Sequence, residues 1–185
     1  MIDDVLNDCR TRMEKAIDAL RRDLSTIRTG RASPSLVERL MVDYYGTNTL
    51  LNQMAGISAP ETRLLVIQPW DRGALGAIEK ALQKSDLGLT PNNDGQVIRL
   101  NIPALTEERR KQLVKLVHHQ LEDGKVALRN IRRDAITSVR ELMNEKMISA
   151  DDERRAVQQV DELTKRFVDE VDKIGKTKEQ EVLEV

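Results

Sequence analysis

The chain has 185 residues, of which 33% are charged, yet its formal net charge is only −1. That length holds one domain or two small ones with a real core, and bulk charge names no partner, so any polyanion site must come from local sorting of sign. No apolar run reaches about 18 residues, which excludes a membrane span. The acidic start MIDDVLND lacks the basic segment of a signal or transit peptide, and a single cysteine (Cys9) excludes an internal disulfide framework and suits a reducing cytoplasm.

Val5, Leu6, Cys9, Met13, Ile17, Leu20, Leu24 and Ile27 recur at three- and four-residue steps. This spacing predicts a helix over 3–29, with Asp3 or Asp4 as its cap. TGRASPS (29–35) interrupts the pattern, and Gly30 suits a helix C-cap with Thr29 as the last helical residue. The texture then changes. RLMVDYY (39–45), short segments near 48–58, LLVIQP (64–69) and QVIRLNI (96–102) read as strands. Between the last two, Leu75, Ile78 and Leu82 give DRGALGAIEKALQKSD (71–86) one apolar helical face. LGLTPNNDG (87–95) is turn-rich, and its DG pair marks a tight reversal. The middle segment is thus a small α/β unit.

Beyond Pro103, Thr106 opens a long helix. Its stripe runs Leu113, Val117, Leu121, Leu128, Ile131, Ala135, Val139 and Leu142, and Ser149 with Asp152 makes a capping-box start for another helix. Val157, Val160, Leu163, Phe167, Val171 and Ile174 form the last stripe, with Val182 extending it. No single long helix can bury its own stripe. The expected fold class is therefore α+β: a long three-helix bundle (1–29 with 105–185) with a small α/β domain (31–103) inserted between its first two helices. Gly30 and Arg31 on one crossing, and Pro103 and Ala104 on the other, are the expected hinges.

Charge is sorted by segment. Residues 105–147 carry ten basic and seven acidic side chains, whereas 148–185 carry seven and eleven. On a helical wheel, Lys111, Lys115, His118, Lys125, Arg129, Arg132, Arg133 and Arg140 fall within an arc of about 100° beside the apolar stripe. Arg129, Arg132 and Arg133 stand at i, i+3 and i+4, where like charges repel by a few tenths of a kcal/mol per pair. One reading is a solvated face with intermittent ion pairs; the other is a rail for phosphates, which arginine forks bind bidentately. With only four aromatic residues (Tyr44, Tyr45, Trp70, Phe167), stacking on single-stranded bases is disfavoured.

No phosphate-loop motif occurs, GALG (73–76) lacks the glycines of a dinucleotide fingerprint, and TPNNDGQ lacks the carboxylates of a calcium loop. His118 and His119 point about 100° apart and cannot chelate together. Cys9 lies on the apolar stripe. No catalytic constellation, cofactor site or metal site is expected, and the chain reads as no enzyme. A helical scaffold protein with a polyanion-binding face is the rival reading, although it leaves the inserted unit unexplained.

Five blocks in order, TGRASPSL (29–36), VDYYGT (42–47), KSDLGLTPN (84–92), LTEERRKQL (105–113) and VALRNIRRDA (126–135), resemble bacterial ribosome recycling factor over essentially the whole chain. The resemblance implies an L-shaped, tRNA-like monomer of the cytoplasm. With elongation factor G and GTP, such a factor splits the post-termination ribosome into subunits. It further implies that the bundle grips large-subunit ribosomal RNA while the inserted domain swings about its hinges. Arg129, Arg132 and Arg110 match RNA-contacting arginines of that family, with Arg133 beside them, and Arg28 and Arg31 match the basic residues flanking the hinge. Trp70 stands where the family often has a smaller aromatic and reads as core variation.

Overall fold

The computed structural model describes residues 1–183. The described residues divide into two compact units: 1–28 together with 107–183, and Thr29–Thr106.

The first unit is a bundle of α1 (Ile2–Ser25), α3 (Glu107–Asn144) and α4 (Ala150–Leu183). At 38 residues, α3 is a rod of roughly 57 Å at 1.5 Å per residue. Neither Asp3 nor Asp4 caps α1. Met1 holds the N-cap position without a side-chain bond, and both aspartates lie in the first turn, where they complement the helix dipole. The helix also stops at Ser25, short of the expected end near 29. Ser25 Oγ donates to the Arg22 carbonyl at 2.6 Å and Thr26 Oγ1 to the Asp23 carbonyl at 2.7 Å, taking carbonyls that a further turn would need. Gly30 therefore lies past the helix end and is not its C-cap.

The turn between α3 and α4 is closed on both sides. Lys146 adopts φ +58°, its N–H donates to the Met143 carbonyl, and the Met147 N–H donates to the Leu142 carbonyl; this pair of bonds is a Schellman cap. On the α4 side the Asp152 N–H donates to Ser149 Oγ at 3.1 Å, while the Ser149 N–H donates to Asp152 Oδ2 at 3.2 Å, the reciprocal capping box. The three stripes meet in a core that includes Cys9, Met13 and Ile17 of α1, Val117, Leu128 and Val139 of α3, and Val160, Phe167 and Val171 of α4. Two glycines let the helices close up. Leu20 of α1 packs on Gly124 and Leu121 of α3 packs on Gly175, where an added Cβ would overlap the Leu121 side chain. Gly175 thus acts as a packing notch, a role that helix propensity alone does not reveal.

The second unit holds a hairpin, β1 (Met41–Tyr44) and β2 (Thr47–Leu50), and a four-stranded antiparallel sheet in the order β3-β4-β6-β5. Tyr45 (φ +50°) and Gly46 (φ +78°) form the two-residue hairpin loop, a left-handed pair that matches strand twist. In the sheet, β3 is Ala55–Glu61, β4 Leu64–Pro69, β5 Pro91–Asn93 and β6 Ile98–Asn101, with α2 (Leu75–Lys84) between β4 and β5. Only the three-residue β5 falls in a stretch that reads as pure turn. The unit's own core contains Val42, Leu51, Leu65, Ile67, Ile78, Leu82, Ile98 and Leu100. Trp70 stays out of it at 70% exposure. The inward alternation of β4 runs Leu65, Ile67, Pro69, so period two turns the next residue outward. The core reading of Trp70 does not hold.

Among the described residues no helix is long and apolar enough to cross a membrane.

Candidate nucleic-acid interface

An unbroken α-helix fixes where each basic side chain of α3 can point, because residues three and four apart share a face. The row nearest the apolar stripe does not stand free. Arg140 faces Glu153 at 3.8 Å, Arg132 Nε donates to Asp161 Oδ1 at 2.7 Å, Lys125 meets Asp172 at 2.8 Å, and His118 bonds Glu179. Three cations of α3, with His118 beyond them, thus run along four carboxylates of the antiparallel α4. Within α3 itself, Arg129 Nη2 donates to Glu122 Oε1 at 2.8 Å, and the guanidinium holds the Glu122 carboxyl below its ordinary range, first by that hydrogen bond and then by its charge. Lys111 pairs with Glu107 one turn earlier at 3.7 Å. Asp134 turns the other way, to Arg12 of α1, at 2.9 Å.

What remains is narrower than the full arc. Arg133 is exposed and, like Lys115, makes no ion pair among the described residues. Arg129 is half held by Glu122, with 56% of its side chain exposed. Arg132 is tied through Nε alone, with 43% of its side chain exposed, so both Nη groups remain beyond that bond. Arg110 is half-buried in the first turn of α3. Arg28 belongs to the helical unit and Arg31 to the inserted one, and both are exposed.

Inside the inserted unit the two chain crossings run side by side. The Ala32 N–H donates to the Thr62 carbonyl at 2.7 Å and the Ile102 N–H to the Arg63 carbonyl at 2.8 Å, so both strands of chain are tied to the β3–β4 turn. Gly30 has φ +74°, and a Cβ there would stand 2.9 Å from Leu105 Cγ. Backbone conformation and space both call for glycine. Pro103 and Ala104 are exposed.

Among the described residues no group of three His, Cys, Asp or Glu side chains is placed to hold a metal. The family model described as "Ribosome recycling factor" matches residues 20–183. The ribosome-recycling factor of Thermomicrobium roseum is 58% identical over 185 residues, covering all of both chains, and that of Roseiflexus sp. is likewise 58% identical over the same span. The chain belongs to the ribosome recycling factor family.

A solution structure of a ribosome recycling factor superposes with a TM-score of 0.78 at 40% identity, covering 100% of this chain and 98% of the other. A second match has a TM-score of 0.67 at 44% identity and covers 99% of each chain. It comes from models of the Thermus thermophilus factor and Escherichia coli elongation factor G bound to the E. coli post-termination complex. As a member of this family the chain functions in ribosome recycling.

The α4 carboxylates opposite the basic side chains of α3 are missing from the sequence reading. Glu153, Asp161, Asp172 and Glu179 fall within an arc of about 100° on α4 at 100° per residue, so their common face was available from spacing. Their meeting with α3 required the register of the helix pair.

Proposed function

We propose that the solvent side of α3 binds the ribosomal RNA of the large subunit after termination, through Arg129, Arg132 and Arg133, with Arg110, Arg28 and Arg31 adding phosphate contacts. Elongation factor G, which accompanies the related factor in the post-termination complex, then drives the subunits apart at the cost of GTP. The factor works in the cytoplasm as a monomer without a cofactor, and its inserted unit swings about Gly30, Arg31, Pro103 and Ala104. The observation that carries this reading is the exposed arginine cluster on a long rigid helix, with Arg133 left unpaired among the described residues. Support for the pivot comes from the two adjacent crossings, tied to one turn and fitted around a glycine. A lever also needs a stiff arm, and α3 is an uninterrupted helix of 38 residues.

The test is co-sedimentation with purified large ribosomal subunits across a salt series. Wild-type binding should weaken by orders of magnitude from low to moderately high salt, as counterion release demands. Arg133→Ala removes no ion pair that the bundle uses, so its melt should not move. Its binding should nevertheless weaken by roughly 1.5–3 kcal/mol, the scale of a charge-assisted contact. Salt-insensitive binding, equal for Arg133→Ala and wild type, would sink the RNA reading of this face.

A further inference from the structure

An exposed ion pair adds little to stability, which leaves the Arg132–Asp161 bond in want of a purpose. Both side chains are about half exposed, at 43% and 48%, yet the contact is short and directional, Nε to Oδ1 at 2.7 Å. The other arginine of the α3–α4 row, Arg140, stands 3.8 Å from its carboxylate. A bond through Nε uses one of five N–H groups, fixes the plane of the guanidinium, and leaves both Nη groups to donate elsewhere. One turn earlier, Glu122 holds Arg129 by a single Nη2 bond at 2.8 Å. Two of the three clustered arginines are therefore each anchored at one nitrogen and open at the others.

We propose that Asp161 is a positioning residue for phosphate recognition: it orders Arg132 before binding, with Glu122 doing the same for Arg129. This rests on the RNA reading of α3 given above. A free arginine loses considerable side-chain freedom when it grips a phosphate. A carboxylate that has already fixed the fork removes part of that loss from the binding step.

The proposal makes a prediction of unexpected sign. Asp161 is an anion beside a polyanion site, so simple electrostatics says its removal should tighten binding. Positioning says the reverse. Asp161→Ala should bind purified large subunits about tenfold more weakly despite the added positive charge. Asp161→Asn makes the same change in charge but keeps an oxygen that can accept from Nε, and should stay within about threefold of wild type. In an Arg132→Ala background, Asp161→Ala should weaken binding no further, and thermal melts of the single variants should stay close to wild type.

Asp161→Ala binding as tightly as wild type, or more tightly, while Arg132→Ala weakens binding would make Asp161 a competing anion and overturn the proposal alone. If Arg132→Ala and Arg133→Ala both bind like wild type, the underlying RNA reading fails and the positioning role falls with it.

Discussion

In the helical unit Glu153, Asp161, Asp172 and Glu179 reach across to Arg, Lys and His side chains on the neighbouring helix, whereas in the inserted unit Asp71 and Asp94 turn to backbone N–H groups. Asp71 accepts from the Gly73 N–H at 2.9 Å and from the Tyr44 hydroxyl at 2.7 Å. Asp94 accepts from the N–H groups of Gln96 and Val97, both at 2.9 Å, and also bonds Arg99. The reason lies in element length. A 34-residue helix such as α4 satisfies its own backbone except at its ends, so carboxylates along it are available to other side chains. The inserted unit breaks its chain into elements of three to ten residues, and each break leaves donors without a ladder partner. Asp152 fits the same rule from the other side. It lies in the bundle, but at a helix start, and there it takes the Ser149 N–H.

Each unit stands on its own core, and a core truncation tests that independence most severely. Ile67 is fully buried in the inserted unit, so Ile67→Ala should cost that unit about 2–5 kcal/mol. Trp70 is the chain's one tryptophan and reports on the inserted unit, while far-UV dichroism is dominated by the long helices. The fluorescence midpoint in urea should fall, with the dichroism midpoint nearly unmoved. If both midpoints fall together, the units unfold as one body and their cores are not independent.

A smaller effect probes how closely the bundle helices pack. Helix propensity favours alanine over glycine by about 1 kcal/mol, so an unconstrained Gly175→Ala would stabilise α4. Against Leu121 the added Cβ has no room, and overpacking of this kind costs about 1–3 kcal/mol. A net loss is expected in thermal melts of the single variant. In a Leu121→Ala background the space opens, and the same substitution should become stabilising. A gain in both backgrounds would mean that Leu121 simply moves aside.

These two units also differ in how much of them the sequence discloses. The long stripes of α3 and α4 are legible because an apolar period repeated over thirty residues averages out local noise. The capping box at Ser149 and Asp152 is legible because both partners lie within one turn. The end of α1 is not, since Ser25 and Thr26 close it by binding carbonyls, and nothing in the apolar pattern records that. Strand β5 is hidden because three residues led by proline carry no alternation to read. At the site, the spacing of Arg129, Arg132 and Arg133 is visible in one helix. The carboxylates that hold two of them are not equally visible. Glu122 lies seven residues from Arg129, beyond the usual one-turn pairing, and Asp161 lies on another helix altogether.

The mildest prediction asks whether the inserted unit uses the charge of its carboxylates or only their oxygens. The N–H groups of Val97 and Gln96, and then the Arg99 side chain, hold the Asp94 carboxyl down to about 2. An unfolded chain returns it to about 3.9. A folded value below the unfolded one contributes stability that is full above pH 4 and is lost as the pH falls toward 2. Asp94→Asn keeps one acceptor oxygen but has no proton to gain. The stability gap between wild type and Asp94→Asn, read by Trp70 fluorescence in urea, should be constant near neutrality and should shrink between about pH 4 and pH 2. A gap that ignores pH would mean that the turn needs an acceptor of any charge. Geometry alone, with no role for the anion, would then explain why Asp94 turns to the backbone.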